Sequence, residues 1–414
     1  MVINYKLVLE AADRIKEAAK VSPLEYSKRL SEKYQANIYL KREDLQEVRS
    51  FKIRGAYNKI AALTSEERAR GVVCASAGNH AQGVAYACSR METKGIIFMP
   101  VVTPNQKVNK VRKFGGIHIE IRLVGDTFDD AAKAAREYCE ANGMVFVHPF
   151  DDELVIAGQG TIAKEIHEQL EAKLDYVIVA IGGGGMIAGI ASALVGIGSD
   201  AEVVGVETET QTAMYQSLQK GERISIDKLD TFVDGTAVKT PGEITFAVIK
   251  DTVKNIVLVK EGQVAVDMIE LYQNEGIVAE PAGALAISGL DNVADKIKGK
   301  TVVCIVCGGN NDLLRYPEIL ERSLVYRGLK HYFLVEFAQK PGQLRMFLND
   351  VLGPNDDIVL FEYIKKNNKE KGPALVGIEL SDKNDIDPLL ERLNIAGFKF
   401  TKLTQDSMLY QYLV

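Results

Sequence analysis

Short apolar runs alternate with longer amphipathic stretches from Asn37 to about Leu320, and that rhythm predicts the elements. Val8 to Lys20 reads as an opening helix, closed at Val21-Ser22-Pro23 because proline disfavours helical backbone at the residue before it. Asn37 to Leu40 is a short strand. Gly71 to Ala75, Gly95 to Met99 and the alternating Ile117, Ile119 and Ile121 follow as strands. Helices are predicted over His80 to Met91, Asn105 to Phe114 and Thr127 to Asn142. Tyr176 to Ile181, Val203 to Val206 and Thr301 to Val306 are almost wholly apolar. Such strands between helices predict a parallel sheet covered on both faces, an α/β fold.

Around Leu320 the rhythm changes. His331 to Phe337 and Ile358 to Lys365 read as strands around a helix from Gly342 to Val351. A charged hairpin loop, Asn367 to Gly372, leads to a strand from Ala374 to Leu380, a helix from Asp385 to Ile395 and a last strand from Phe398 to Leu403. That βαββαβ order predicts a ferredoxin-like α+β unit. Nothing in it has catalytic character. A small-ligand regulatory module is the functional reading; a dimerisation or structural appendage is the alternative.

Composition narrows the class. A chain of 414 residues calls for two or three domains, and 47% hydrophobic with 26% charged residues describes a soluble globular protein. A net charge of −6 gives no reason to expect nucleic acid as a partner. No apolar run approaches the roughly 18 residues of a membrane span. Acids and bases mix from Met1 to Lys20, unlike a signal or transit peptide, and five cysteines make no disulfide framework. A cytoplasmic location is expected. The histidines lack metal-ligand spacing, and Cys304 and Cys307, three apart on a strand, face opposite ways. No metal site is expected.

Three stretches carry chemistry. Ser50-Phe51-Lys52-Ile53-Arg54-Gly55-Ala56 leads into a helical pattern, so Lys52 lies near a helix N-terminus between apolar neighbours. Desolvation and the helix dipole both favour its neutral, nucleophilic amine, the form that condenses with carbonyl cofactors. A solvated surface lysine is the bland alternative. Gly182-Gly183-Gly184-Gly185 follows a buried strand and opens the helix Met186 to Leu194, an order suited to an anion because free N–H groups and the helix dipole converge there. The dinucleotide fingerprint fails, since Ile187 stands where its third glycine belongs, and no Gly-Lys-Ser/Thr follows. A tight strand-to-helix turn is the structural alternative. Ser76-Ala77-Gly78-Asn79-His80, also between strand and helix, suits a carboxylate or phenolic oxygen, or merely caps its helix. His80 lines the site or serves as a solvated or capping residue. Cys304 is expected in the core, and Cys307 at the mouth of the sheet before Gly308-Gly309-Asn310.

These stretches, with Ala81-Gln82-Gly83, Glu280-Pro281-Ala282-Gly283-Ala284 and Cys307-Gly308-Gly309-Asn310, stand in the order found in threonine dehydratases. The chain resembles that family of tryptophan-synthase-β-like, fold type II pyridoxal-phosphate enzymes over nearly its whole length. Phe337 to Gly342 with Leu348 to Tyr363 resembles the regulatory domain of the biosynthetic form, in one ACT-like copy. The resemblance implies a two-lobed catalytic domain over 1–320, its small lobe roughly 45–150, and a regulatory domain over 326–414. It implies pyridoxal 5'-phosphate held by Lys52 as a Schiff base, with Phe51 beside the ring and Asn79 on the phenolic oxygen. Gly182, Gly183, Gly184, Gly185 and Met186 would bind the phosphate, Cys307 would meet the pyridine nitrogen, and Glu280 would lie near the ring edge. Ser76, Ala77, Gly78, Asn79 and His80 would bind the substrate carboxylate. Many relatives have serine at the position of Cys307 and leucine at that of Met186.

The implied activity is conversion of L-threonine, with L-serine as a further candidate substrate, to a 2-oxoacid and ammonia. Isoleucine is the implied allosteric ligand, and a dimer or tetramer the implied assembly. A catabolic threonine or serine dehydratase and a serine racemase are the alternatives within the cofactor class. Outside it stand a non-catalytic nucleotide- or amino-acid-binding regulatory protein and a catalytically dead homologue. Cysteine and threonine synthases usually follow their lysine with Asp-Arg, whereas Ile53-Arg54 stands here.

Overall fold

The structure is a computed structural model and describes residues 2–227, 229–364, 369–404 and 407–413. The chain forms two compact units, Met1–Asn311 and Asp312–Val414. In the first unit the strands are β1 (Leu24–Tyr26), β2 (Asn37–Arg42), β3 (Val72–Ala75), β4 (Gly95–Met99) and β5 (Ile119–Leu123). They continue with β6 (Val145–Phe146), β7 (Tyr176–Ala180), β8 (Glu202–Thr208), β9 (Asn255–Val259) and β10 (Thr301–Val306).

Two sheets result. The larger runs β1-β2-β10-β7-β8-β9, and the smaller β5-β4-β3-β6. Every pairing in them is parallel except β1 with β2. The smaller sheet shows why its strands are apolar throughout. Val72 and Cys74 of β3 pack on one side with Ala81, Val84 and Val111, while Val73 and Ala75 pack on the other with Ala131 and Ala135. With helices on both faces, neither side of the strand meets water.

Packing shifts some elements from their sequence-predicted limits. The first helix is Tyr5–Ile15 rather than Val8 to Lys20: Asn4 caps it by accepting from Lys6 N. Ile117 belongs to a short 3₁₀ turn, 95% exposed, and β5 begins only at Ile119. The helix Glu153–Gln169, which the apolar-run reading leaves out, is buried along most of its length. Its glycines conceal it: Gly158 meets the backbone of Arg54 and Gly55, and Gly160 the backbone of Gly189, so small residues bring three helices close.

In the second unit the strands are β11 (Lys330–Ala338), β12 (Asp357–Tyr363), β13 (Lys371–Glu379) and β14 (Lys399–Lys402). They form one antiparallel sheet in the order β12-β13-β11-β14, with helices Gln343–Asp350 and Ile386–Ile395 between strands. This is the ferredoxin-like arrangement that the element order predicts. Phe333, Val335 and Phe337 of β11 share a core with Phe347, Leu389 and Leu393 from the two helices. Tyr332 and Leu375 pack on the opposite face with Leu403 and Tyr410. The expected Asn367 to Gly372 hairpin loop, and the strand end at Lys365, lie partly outside the described residues.

Candidate active site

Lys52 is the first residue of the helix Lys52–Ala61, with Phe51 as its N-cap residue. Its ammonium donates to the carbonyl of Pro149 at 2.8 Å and lies 5.2 Å from the centre of the Phe51 ring. Burial pulls its pKa down to about 8, against the weaker pull of Cys307 and Glu280 in the other direction. An amine there is neutral in about a tenth of molecules at pH 7, far more often than an ordinary lysine, and in about half at pH 8.

The residue after Pro149 connects this amine to the glycine loop. Phe150 packs so closely on Gly183 that a Cβ at that glycine would stand 2.3 Å from atoms of the ring. A Cβ at Gly185 would stand 2.9 Å from Phe150 Cβ, and one at Gly182 3.0 Å from Thr236 Cα. Gly184 adopts φ +91°, which favours glycine. Thr245 Oγ1 donates to the carbonyl of Gly183 at 2.7 Å, fixing the loop from below.

Among the described residues, the N–H groups of Gly183, Gly184, Gly185 and Met186 meet no protein acceptor, although all four residues are buried. Orphaned buried N–H groups are rare, and four in succession at the start of the helix Gly185–Ile197 form an arrangement suited to an anion. Close packing as well as access therefore demands the glycines. Met186 itself is 4% exposed, and its N–H continues the row of the glycines.

Asn79 opens the helix Asn79–Arg90. Its Nδ2 donates to Glu280 Oε1 at 2.6 Å, and its Oδ1 accepts from Asn310 Nδ2 at 2.8 Å. Glu280 is the N-cap residue of the helix Pro281–Ser288, and its Oε2 accepts from the backbone of Asn310 at 3.1 Å. Burial, with Asp234 adding to it, raises Glu280 to about 7. Cys307, 3% exposed, donates its thiol hydrogen to Ala282 O at 3.1 Å. Burial, with Glu280 second, holds that thiol well above its ordinary pKa, so it stays neutral. Cys304 is fully buried.

The segment after β10 is zipped to the lysine loop. Phe51 N donates to Cys307 O at 3.1 Å, Gly309 N to Arg49 O at 2.9 Å, and Ser50 bridges Gly308. The structure thus brings Lys52, Phe51, Asn79, Glu280 and Cys307 together, with the glycine loop joined through Phe150. Ser76, Ala77 and Gly78 form a half-buried turn beside Asn79, in which Gly78 N donates to Ser76 Oγ at 3.2 Å. A Cβ at Gly78 would meet nothing within 4 Å.

His80 corrects the sequence reading. It is neither solvated nor a cap: it is 2% exposed, and its Nε2 lies 2.8 Å from the carbonyl of Val147. A carbonyl only accepts, so Nε2 carries the hydrogen; burial, with Lys52 second, lowers the ring to about 3 and keeps it neutral. Its Nδ1 meets no partner among the described residues.

Sequence reasoning missed His148, Pro149 and Phe150. His148 Nδ1 accepts from Asp151 N at 2.7 Å, which holds the turn that presents Pro149 to Lys52. Their one signal was position, a His-Pro-Phe run just past a short strand at the carboxyl edge of the smaller sheet. Two ion pairs, Lys107 with Asp234 at 2.6 Å and Lys239 with Asp129 at 2.8 Å, span from helices of the smaller sheet to loops beside the larger one. Among the described residues, no group of three or more His, Cys, Asp or Glu could hold a metal ion. Nor is any helix among them long and apolar enough to cross a membrane.

A buried lysine with a lowered pKa, joined through Pro149 and Phe150 to a row of N–H donors at a helix start, on two parallel α/β sheets, suits a carbonyl compound bearing a phosphate. Comparison with known proteins gives the family: the chain belongs to the pyridoxal-phosphate-dependent enzymes, matched over residues 15–308, with a C-terminal regulatory domain of the threonine dehydratase type matched over 321–413. The biosynthetic L-threonine dehydratase of Bacillus subtilis is 51% identical over 412 residues, covering 100% of this chain and 98% of that one. The Mycobacterium bovis protein of the same name is 52% identical, covering 98% of this chain and 94% of its own length. Among solved structures, the processed form of tomato threonine deaminase isoform 2 superposes with a TM-score of 0.74 at 39% identity, over 77% of this chain and 88% of that chain. Serine racemase of Dictyostelium discoideum gives 0.70 at 31% identity, over 75% of this chain and 99% of that chain.

Proposed function

We propose that this chain is a threonine ammonia-lyase that converts L-threonine to 2-oxobutanoate and ammonia, the committing step of isoleucine biosynthesis. The carrying observation is the Lys52 amine, lowered to about 8 and joined through Pro149 and Phe150 to four orphaned N–H groups. Biosynthetic threonine dehydratases about half identical over the whole chain support the substrate. Serine racemase, the alternative, matches 75% of this chain while spanning 99% of its own length.

The residues present fit pyridoxal phosphate. Lys52 would hold its aldehyde carbon, Gly182 to Met186 its phosphate and Asn79 its phenolic oxygen. Phe51 would lie beside the ring and Cys307 at its nitrogen, with Ser76 to Asn79 taking the substrate carboxylate. His80 would follow them in the carboxylate site, its buried ring held on the Val147 carbonyl. When bound, the cofactor supplies a sink for the electrons left at Cα. Lys52, its amine lowered to about 8, would be a base of suitable strength for the substrate Cα proton. Cys307, held neutral by burial, would bring no negative charge to the ring nitrogen, which would favour elimination over racemisation.

The C-terminal unit is assigned isoleucine as an inhibitory ligand, and the working assembly is a dimer or tetramer. The proposed domain limits are 1–320, with a small lobe near 45–150, and 326–414. The test is the visible spectrum of purified protein before and after L-threonine, with 2-oxoacid followed in parallel. A yellow band bleached by borohydride, together with 2-oxobutanoate, is expected. A protein that stays colourless with added pyridoxal phosphate overturns the reading. Isoleucine that changes neither rate nor thermal stability overturns the regulatory part.

A further inference from the structure

Asn310 lies outside the roles assigned above, yet its side chain makes two of the best-placed hydrogen bonds in the site. Its Nδ2 donates to Val48 O at 2.7 Å and to Asn79 Oδ1 at 2.8 Å, using both of its hydrogens. Its backbone N–H donates to Glu280 Oε2 at 3.1 Å, and the other oxygen of that carboxylate accepts from Asn79 Nδ2 at 2.6 Å. Asn79, Glu280 and Asn310 therefore close a ring of hydrogen bonds.

The ring decides which way the Asn79 amide faces. Turned over, Asn79 would put its oxygen against the Glu280 carboxylate and its NH₂ against the NH₂ of Asn310. Both contacts would be repulsive; Glu280 is buried and the two amides half-buried, so water relieves them only in part. In the orientation present, one Nδ2 hydrogen goes to Glu280 and the second is left over, since Asn79 Nδ2 has no other acceptor among the described residues. Val48 anchors the ring to the lysine side. The same segment pairs Gly309 N with Arg49 O and Cys307 O with Phe51 N, so Asn310 is registered directly on the loop that presents Lys52.

We propose that Asn310 is a positioning residue, whose carboxamide, anchored on Val48 O, locks the Asn79 amide so that one Nδ2 hydrogen remains available to an oxygen acceptor on the bound cofactor. This rests on the reading of the site as one for pyridoxal phosphate. Replacement of Asn310 by aspartate tests the orientation sharply, because a carboxylate would face two acceptors, Val48 O and Asn79 Oδ1, with no hydrogen for either.

Two measurements carry the test. The first is a double-mutant cycle on cofactor-free protein, with Asn79→Ala, Asn310→Ala and the pair, read as thermal midpoints. Coupled amides predict that the double variant loses clearly less than the two single losses together; additive losses overturn the proposal. The second uses holoenzyme. In Asn310→Asp and Asn310→Ala the pH midpoint of the cofactor's visible band should shift by about one unit, and kcat should fall about tenfold with little change in KM, the scale of one hydrogen bond in a desolvated site. Normal loading with an unmoved midpoint overturns the proposal, because a merely structural role would leave the band alone. If the unsubstituted protein takes up no pyridoxal phosphate, the site reading fails and this role falls with it. The cycle still reports separately whether the two amides are coupled.

Discussion

Arg54 Nη2 and Glu43 Oε1 lie 2.8 Å apart, and neither side chain has any solvent exposure. Arg54 also holds Glu165 through Nη1 at 2.6 Å, and Lys41 reaches the same carboxylate at 2.6 Å. Two cations and two carboxylates thus balance in the interior, two residues along the helix from Lys52. Burial is the strongest single influence and works against ionising Glu43, yet the charge and hydrogen bonds of Arg54, with Lys41 and Ser22, together outweigh it and keep that carboxyl below its usual range.

Arg54→Met should cost about 3–5 kcal/mol, because it leaves carboxylates buried with only Lys41 to answer them. Glu43, its folded pKa depressed, lends stability that is complete above its ordinary pKa and lost as pH falls through the folded value; Arg54→Met should abolish that share. Thermal unfolding at pH 7, and in a series from pH 5 to below pH 4, measures both. A variant as stable as the parent would show the network to be dispensable.

Gly183 and Gly78 should respond oppositely to alanine. At Gly183 the new methyl meets the Phe150 ring, and overpacking of this kind costs about 1–3 kcal/mol. Displacing Phe150 also disturbs Pro149, so cofactor affinity should fall together with stability. At Gly78 the methyl enters open space, so the thermal midpoint should stay within a degree or so of the parent while KM for L-threonine rises. Melting curves with and without pyridoxal phosphate separate the two cases. An unchanged affinity in Gly183→Ala would count against the phosphate assignment.

Legibility in the sequence followed locality. The lysine loop and the tetraglycine could be read because each is a short segment whose chemistry and element boundary coincide. The second unit could be read because antiparallel strands alternate and its turns are polar. The helix Glu153–Gln169 escaped because burial on nearly every side erases amphipathic periodicity. His80 was misread because a histidine at a helix start carries no mark of the Val147 carbonyl 67 residues away in sequence. Pro149 offers only a backbone oxygen, and its value to Lys52 exists only once the two sheets meet.

Lys52 gives the cofactor-free protein a defined pH signature. Its folded pKa, about 8, lies below the ordinary lysine value of 10.5. The unfolded chain therefore binds a proton between those values that the folded one does not, and stability rises with pH across that window. Lys52→Met removes the effect. The variant should be the more stable protein below about pH 8, with its advantage shrinking toward pH 10. Chemical denaturation at several pH values measures this, and a constant difference from pH 7 to 10 would contradict a desolvated amine. The same variant should lose at least about a hundredfold in 2-oxoacid formation, the low end of what a positioned base contributes.

Glu280 should set the acid limb of the pH–rate profile. Both its oxygens accept hydrogen bonds, from Asn79 and from the backbone of Asn310, which suits the ionised form. Burial, then the negative Asp234, lifts its pKa to about 7 from the ordinary 4.5. With the folded pKa raised, this group's contribution to stability is complete below pH 4.5 and is lost as pH rises through about 7. The protein thus gives up stability to keep a carboxylate in place at working pH. Protonation turns one acceptor into a donor facing an N–H, which should release Asn79. Activity should therefore climb with pH through about 7, and the climb should vanish in Glu280→Gln, whose rate should be lower by about tenfold and flat across that range. Glu280→Gln should also gain stability relative to the parent as pH rises from 4.5 to 7. A Glu280→Gln profile that keeps the parent's acid limb would assign that limb to another group and leave Glu280 a purely structural cap.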